Sequence, residues 1–105
     1  MSERRMYGNK VTRFQTPNSG AAADRLLTLQ SGNTRIAVAN LSLAPGFANA
    51  LFVRFGAECS GVADADEFVM PGGKEEWGIP SNVTTVSISA SADFDVLISE
   101  GTTMP

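Results

Sequence analysis

The sequence predicts an all-β fold: one antiparallel β-sandwich, jelly-roll-like, preceded by an extended N-terminal arm. Three observations carry this expectation. From Arg25 to the end the chain consists of short apolar runs, each cut off by Gly, Pro, Asn or Ser. None of the runs has a helical repeat, and several alternate apolar and polar residues with the period of a half-buried strand. The runs recur at the spacing, roughly 8–12 residues, that marks sandwiches and small barrels. A chain of 105 residues holds one such core and not two, burying roughly two-thirds of the surface its unfolded form exposes. The expected division is an arm over 1–24 and a sandwich domain over 25–105.

The arm mixes Arg, Lys, Asn, Gln and Ser around Pro17-Asn18-Ser19-Gly20, with Met6, Tyr7, Val11 and Phe14 as its larger apolar side chains after Met1. It has too little apolar surface to fold alone. Tyr7 and Phe14 are placed to fill pockets on a neighbouring surface, each worth about 1.5–3 kcal/mol on full burial; the alternative reading is a frayed tail. Ala21 to Asp24 reads as a short helical turn. In the domain, Arg25–Gln30 and Thr34–Leu41 flank Ser31-Gly32-Asn33, which reads as a hairpin. Ile36, Val38 and Asn40 share one face of the second strand. Ser42–Asn49 is a connection through Pro45-Gly46, and Ala50–Gly56 presents Leu51, Val53 and Phe55 on one side.

Ala57–Asp66 reads as a polar, exposed loop. Glu67–Met70 and Lys74–Ile79 are expected to pair across Pro71-Gly72-Gly73. Val83–Ala90 shows the clearest alternation, Val86, Ile88 and Ala90 against Thr85, Ser87 and Ser89. The serine row carries no charge to deter edge pairing, so that strand is either central or covered by a neighbour. Phe94–Ser99 turns Phe94, Val96 and Ile98 inward, and Glu100–Pro105 is expected to be loose.

The net charge of −3 conceals an asymmetry. Arg4, Arg5, Lys10 and Arg13 lie near the N-terminus, while nine of the eleven acids follow Asp24. The acidic domain argues against a nucleic-acid-binding face, which needs a basic patch with interleaved aromatics. A charged fraction of 18% is low, and a surface of small neutral side chains suits packing against other proteins. No apolar stretch reaches the length of a membrane span, and the polar first ten residues do not resemble a secretory signal. The lone Cys59 forms no internal disulfide, which fits a cytoplasmic origin.

With no histidine and one cysteine, neither a zinc site nor an imidazole-based nucleophilic triad is expected within the chain. Asp64, Asp66 and Glu67 lack the spacing of a dedicated calcium loop and read as solvated loop acids. Glu75 and Glu76 point to opposite faces of a strand, which splits them as a carboxylate pair for glycoside hydrolysis. Asp93 and Asp95 sit at a turn. Pro71-Gly72-Gly73-Lys74 lacks the pattern of a phosphate loop. Trp77, the one tryptophan, reads first as core and second as a sugar-stacking platform. No catalytic residue, cofactor or metal is expected, and the protein is read as a non-enzyme.

The stretch Leu51-Phe52-Val53-Arg54-Phe55-Gly56, then Phe68-Val69-Met70-Pro71-Gly72-Gly73, then Trp77-Gly78-Ile79-Pro80, resembles small structural proteins of tailed bacteriophages. In those, a strand ending in an aromatic-Gly pair precedes an apolar-Pro-x-Gly turn, an acidic strand and an Ile-Pro corner. Val83 to Ile98 fits the final pair of strands. The resemblance implies a capsid decoration or cement protein on the virion surface, assembled in the host cytoplasm. Its partners would be the major capsid protein, other virion proteins and further copies of itself, with no membrane and no nucleic acid. The residues expected to meet the capsid are Arg4, Arg5, Tyr7, Lys10, Arg13 and Phe14. The rival readings are a carbohydrate-binding sandwich using Trp77, and a head-to-tail connector or tail subunit.

Overall fold

The structure, a computed structural model, describes residues 6–15, 23–59, 61–90 and 95–103. It is all-β: β1 (Met6–Gln15), β2 (Ala23–Thr28), β3 (Arg35–Asn40), β4 (Leu51–Phe55), β5 (Glu67–Val69), β6 (Lys74–Gly78), β7 (Thr85–Ala90) and β8 (Asp95–Thr103), with single 3₁₀ turns at Phe47–Asn49 and Val62–Asp64. The strands form two antiparallel four-stranded sheets, ordered β1-β8-β3-β6 and β2-β7-β4-β5.

The two sheets share one apolar core because their strands alternate. Leu27, Ile36, Val38, Leu51, Val53, Val69, Val86, Ile88, Val96 and Ile98 are all buried in it, as the period of two requires. Backbone pairing follows a folded long hairpin: β1 with β8, β2 with β7, β3 with β6 and β4 with β5. Further ladders, β3 with β8 and β4 with β7, knit these pairs into sheets.

This pairing overturns two expected hairpins. β2 and β3 lie in different sheets, and so do β5 and β6. The turns themselves form as their residues dictate. The Asn33 N–H donates to the Gln30 carbonyl and the Gly73 N–H to the Met70 carbonyl, with Gly32 at φ 91° and Gly72 at φ 77°, conformations that glycine adopts without strain. A reversed chain can return within its own sheet or across the sandwich; here it crosses, and β2 and β6 pair only with β7 and β3, as edge strands of their sheets.

Four further expectations change. Part of the stretch read as an arm is strand: β1 pairs with β8 from Met6↔Thr103 to Gln15↔Asp95, with a bulge between Gly8 and Lys10. Ala23 and Asp24 open β2 rather than a helical turn. The tail expected to be loose continues β8 as far as Thr103, and Glu100 within it is fully buried. The loop after β4 is not wholly exposed, since the buried Cys59 donates its N–H to Ser87 Oγ at 2.9 Å. That loop covers Ser87, and both Ser87 and Ser89 are buried on the outer face of β7, which runs between β2 and β4 as a central strand.

Ile88, with no exposed surface, sits in the middle of this core. Ile88→Ala is expected to lower unfolding free energy by about 2–5 kcal/mol, read as a lower urea midpoint at unchanged slope.

Candidate functional site

At one end of the sandwich the chain exposes apolar side chains that the core does not use. Leu43 is 98% exposed, Phe47 52% and Phe68 51%, with Leu41 and Met70 also exposed. Phe68 is on the outer face of β5 because its neighbours Glu67 and Val69 pair opposite the inward-facing Val53 and Leu51. It stands opposite Phe52 of β4, and Phe47 covers both. Ring centroids lie 5.5 Å apart for Phe47–Phe52 and 5.8 Å for Phe47–Phe68, edge to face in each case. Phe52 itself is buried with Ala50 and Cys59, so Phe47 and Phe68 form the outer layer of a small second core.

The backing of this surface is polar and fully bonded. Asn40, at the end of β3, is 1% exposed. Its Nδ2 donates to the carbonyls of Asn49 and Val69, both at 3.0 Å, and its Oδ1 accepts the Ser42 N–H at 3.1 Å. Its backbone N–H donates to the Gly73 carbonyl and its carbonyl accepts the Gly72 N–H, each at 2.9 Å. One residue therefore ties the β3–β4 loop, which carries Leu41, Leu43 and Phe47, to the β5–β6 turn that follows Met70. With every hydrogen-bonding group used, burying this amide is tolerated.

Of the residues expected to contact a capsid, Lys10 and Arg13 fall elsewhere. Arg4 and Arg5, and the side chains of Tyr7 and Phe14, lie outside the described residues, although the backbones of Tyr7 and Phe14 pair with Thr102 and Val96. Lys10 and Arg13 are engaged within the chain. Arg13 Nε and Nη2 donate to the two oxygens of Asp95 at 2.9 and 2.6 Å. The hydrogen bond to Asp95, followed by its charge, raises the guanidinium pKa above its ordinary value, and desolvation only slightly opposes this. Lys10 Nζ lies 3.6 Å from Glu100 Oε2 and donates to the Thr28 carbonyl at 3.3 Å.

Glu100 is the most buried charge among the described residues, with no exposed surface. Its Oε1 accepts the Gln30 N–H at 2.6 Å and Asn33 Nδ2 at 3.2 Å, while Oε2 accepts no hydrogen bond and relies on the nearby ammonium of Lys10. The carboxylate binds the β2–β3 turn to β8, and Lys10 brings β1 into the same cluster. Among the described residues no three of Cys, Asp and Glu are grouped to hold a metal ion. Asp64 takes a bond from Arg54 Nη1 at 3.2 Å, and Asp66 accepts the Phe55 N–H at 2.9 Å. Trp77 is half-buried: it packs against the core and also lines a surface cleft.

Compared with protein-family models, with curated proteins and with solved structures, the chain gives no match.

The sequence alone does not reveal the exposed apolar surface, because Phe47 sits in a Pro-Gly connection and the exposure of Phe68 depends on the β4–β5 register. Asn40 was foreseen on the core face, and its bonding explains why it is there. Asn40→Ala leaves two buried carbonyls and an N–H without partners. It is expected to lower stability by about 1–3 kcal/mol, and the cut rate of the 41–49 loop by a nonspecific protease should rise with it.

Proposed function

We propose that the protein is a structural virion component of the capsid decoration or cement type, acting by binding and carrying no catalytic centre. The observation that carries this reading is the exposed Phe47–Phe68 pair, with Leu41, Leu43 and Met70 also exposed on the segments that Asn40 ties together. Phe47 and Phe68 meet edge to face at 5.8 Å, and exposed apolar surface of this kind marks interaction sites. The partner is the major capsid protein or a neighbouring virion protein, with further copies of this chain as the second contact.

Two further features support the reading. The strand order β1-β8-β3-β6 over β2-β7-β4-β5 is what an eight-stranded hairpin wrapped into a jelly roll produces, an architecture that includes viral capsid and lectin domains. Fold alone does not assign function, which is why the surface carries the argument. The basic residues Arg4 and Arg5 precede the edge strand β1 in sequence, and their charge suits an acidic shell. Each Leu or Phe fully buried in the contact contributes about 1.5–3 kcal/mol, and repetition over many capsid sites multiplies the effect through multivalency.

The test is location and attachment. Imaging of purified particles should place the chain on the outside of the head. A variant with Phe47→Asp and Phe68→Asp, shown to be folded by its far-UV circular dichroism, should lose attachment to empty capsids at least tenfold. A folded double variant that binds capsids as well as the parent would refute the assignment of this surface.

A further inference from the structure

The sandwich has an opening on its β5–β6 side. β5 has three residues, whereas β4 beside it and β6 across the gap have five each. Phe55 and Trp77 both point into the inter-sheet space there. Phe55 lies opposite the buried Val86 and Trp77 opposite the buried Ile36. Their rings meet edge to face with centroids 6.0 Å apart, and both remain half-buried rather than enclosed. The result is an open cleft of about 680 Å³ lined by Arg35, Phe55, Asp66, Glu67, Glu76 and Trp77, within the roughly 300–1,000 Å³ of small-ligand sites.

The chemistry of the rim selects the ligand. Arg35 Nε and Nη2 both donate to Glu76 Oε2, at 3.2 and 2.9 Å. Asp66 Oδ2 accepts the Phe55 N–H at 2.9 Å, and Glu67 stands exposed at the edge of its sheet. A guanidinium has five donors and a carboxylate about four acceptor positions, so each retains capacity after these bonds. With Arg35 paired to Glu76, Asp66 and Glu67 leave the rim with an excess of negative charge, which repels an anionic ligand; a cation is the competing occupant, and its attraction to these exposed carboxylates is screened by water. A neutral ring with hydroxyl groups uses the aromatics as well as the rim: its hydroxyls donate to Asp66 and Glu67 and accept from Arg35, while its apolar face lies on an aromatic, which a simple cation leaves unused.

We propose that this cleft binds a neutral saccharide, with Trp77 as the platform and Asp66, Glu67 and Arg35 as the hydroxyl partners. The site is separate from the Phe47–Phe68 surface and does not depend on the capsid role. A glycan on a cell surface and a free oligosaccharide share this chemistry.

Trp77 is the one tryptophan in the chain, so its fluorescence reports the cleft directly. Titration of the full chain with neutral gluco-, galacto-, manno- and N-acetylglucosamine tetrasaccharides should give a saturable change with at least one of them. The same sugars immobilised on beads then separate a surface glycan, which is retained, from a ligand taken only in free form; either result supports the site. Trp77→Ala should weaken binding at least tenfold. Because Trp77 also packs on the core, Glu67→Gln, at an exposed position, provides the second arm and should weaken binding several-fold with the circular dichroism unchanged. The inference is overturned if no saccharide saturates the signal, if Glu67→Gln binds as the parent does, or if an uncharged-terminus Arg-Arg peptide competes the sugar away. The Phe47→Asp, Phe68→Asp variant should bind the saccharide normally, so failure at one surface is distinguishable from failure at the other.

Discussion

A single buried amide organises the end of the molecule to which function is assigned. Asn40 leaves β3 with its backbone bonded to Gly72 and Gly73 and its side chain bonded to Ser42, Asn49 and Val69. Those contacts fix a ten-residue connection that contains Pro45 and Gly46 and has no regular structure beyond one 3₁₀ turn. Hydrogen bonds inside a low-dielectric environment are strong when complete and damaging when broken. The loop is therefore held in one conformation by polar forces, which leaves its apolar side chains free to face outward.

Glu100 does the corresponding work at the opposite end of β3 and β8. It is paired in register with both Ile36 and Lys10 and takes hydrogen bonds from the β2–β3 turn. A buried carboxylate is weak evidence for stability in itself, because taking it out of water offsets much of what its partners contribute. Its role is better described as one of position. Only an arrangement that brings Gln30, Asn33 and Lys10 around the same point can accommodate it, and that arrangement sets the register of β1 and the approach of the two sheets.

The faces of the strands were legible in the sequence; their partners were not. Val86, Ile88 and Ala90, Leu51 and Val53, and Val96 and Ile98 point into the core as their alternation requires. Pro71-Gly72-Gly73 and Ser31-Gly32-Asn33 turn the chain as their residues predict, but turn chemistry is local and does not say which sheet receives the next strand. Glu100 reads as a surface residue because the groups that satisfy it, Gln30 and Asn33, lie about seventy positions away in sequence. The apolar surface was hidden for the same reason: Phe47, Phe52 and Phe68 are ordinary apolar residues until the β4–β5 register brings their rings together. Lys10 and Arg13 were legible as cations, whereas their acids on β8 became visible only with the fold.

The pairing of Met6 with Thr103 has a kinetic side. Of the strand pairs, only β4 with β5 joins elements consecutive in sequence, and every other ladder must wait for a longer loop to close. The β1–β8 ladder requires the longest closure of all, so β1 is the last strand expected to dock. Until it does, β8 presents an unsatisfied row of amides and carbonyls, and at high concentration a β1 from another polypeptide can fill that row. Strand exchange between copies is thus a competing end point of folding that the topology itself creates.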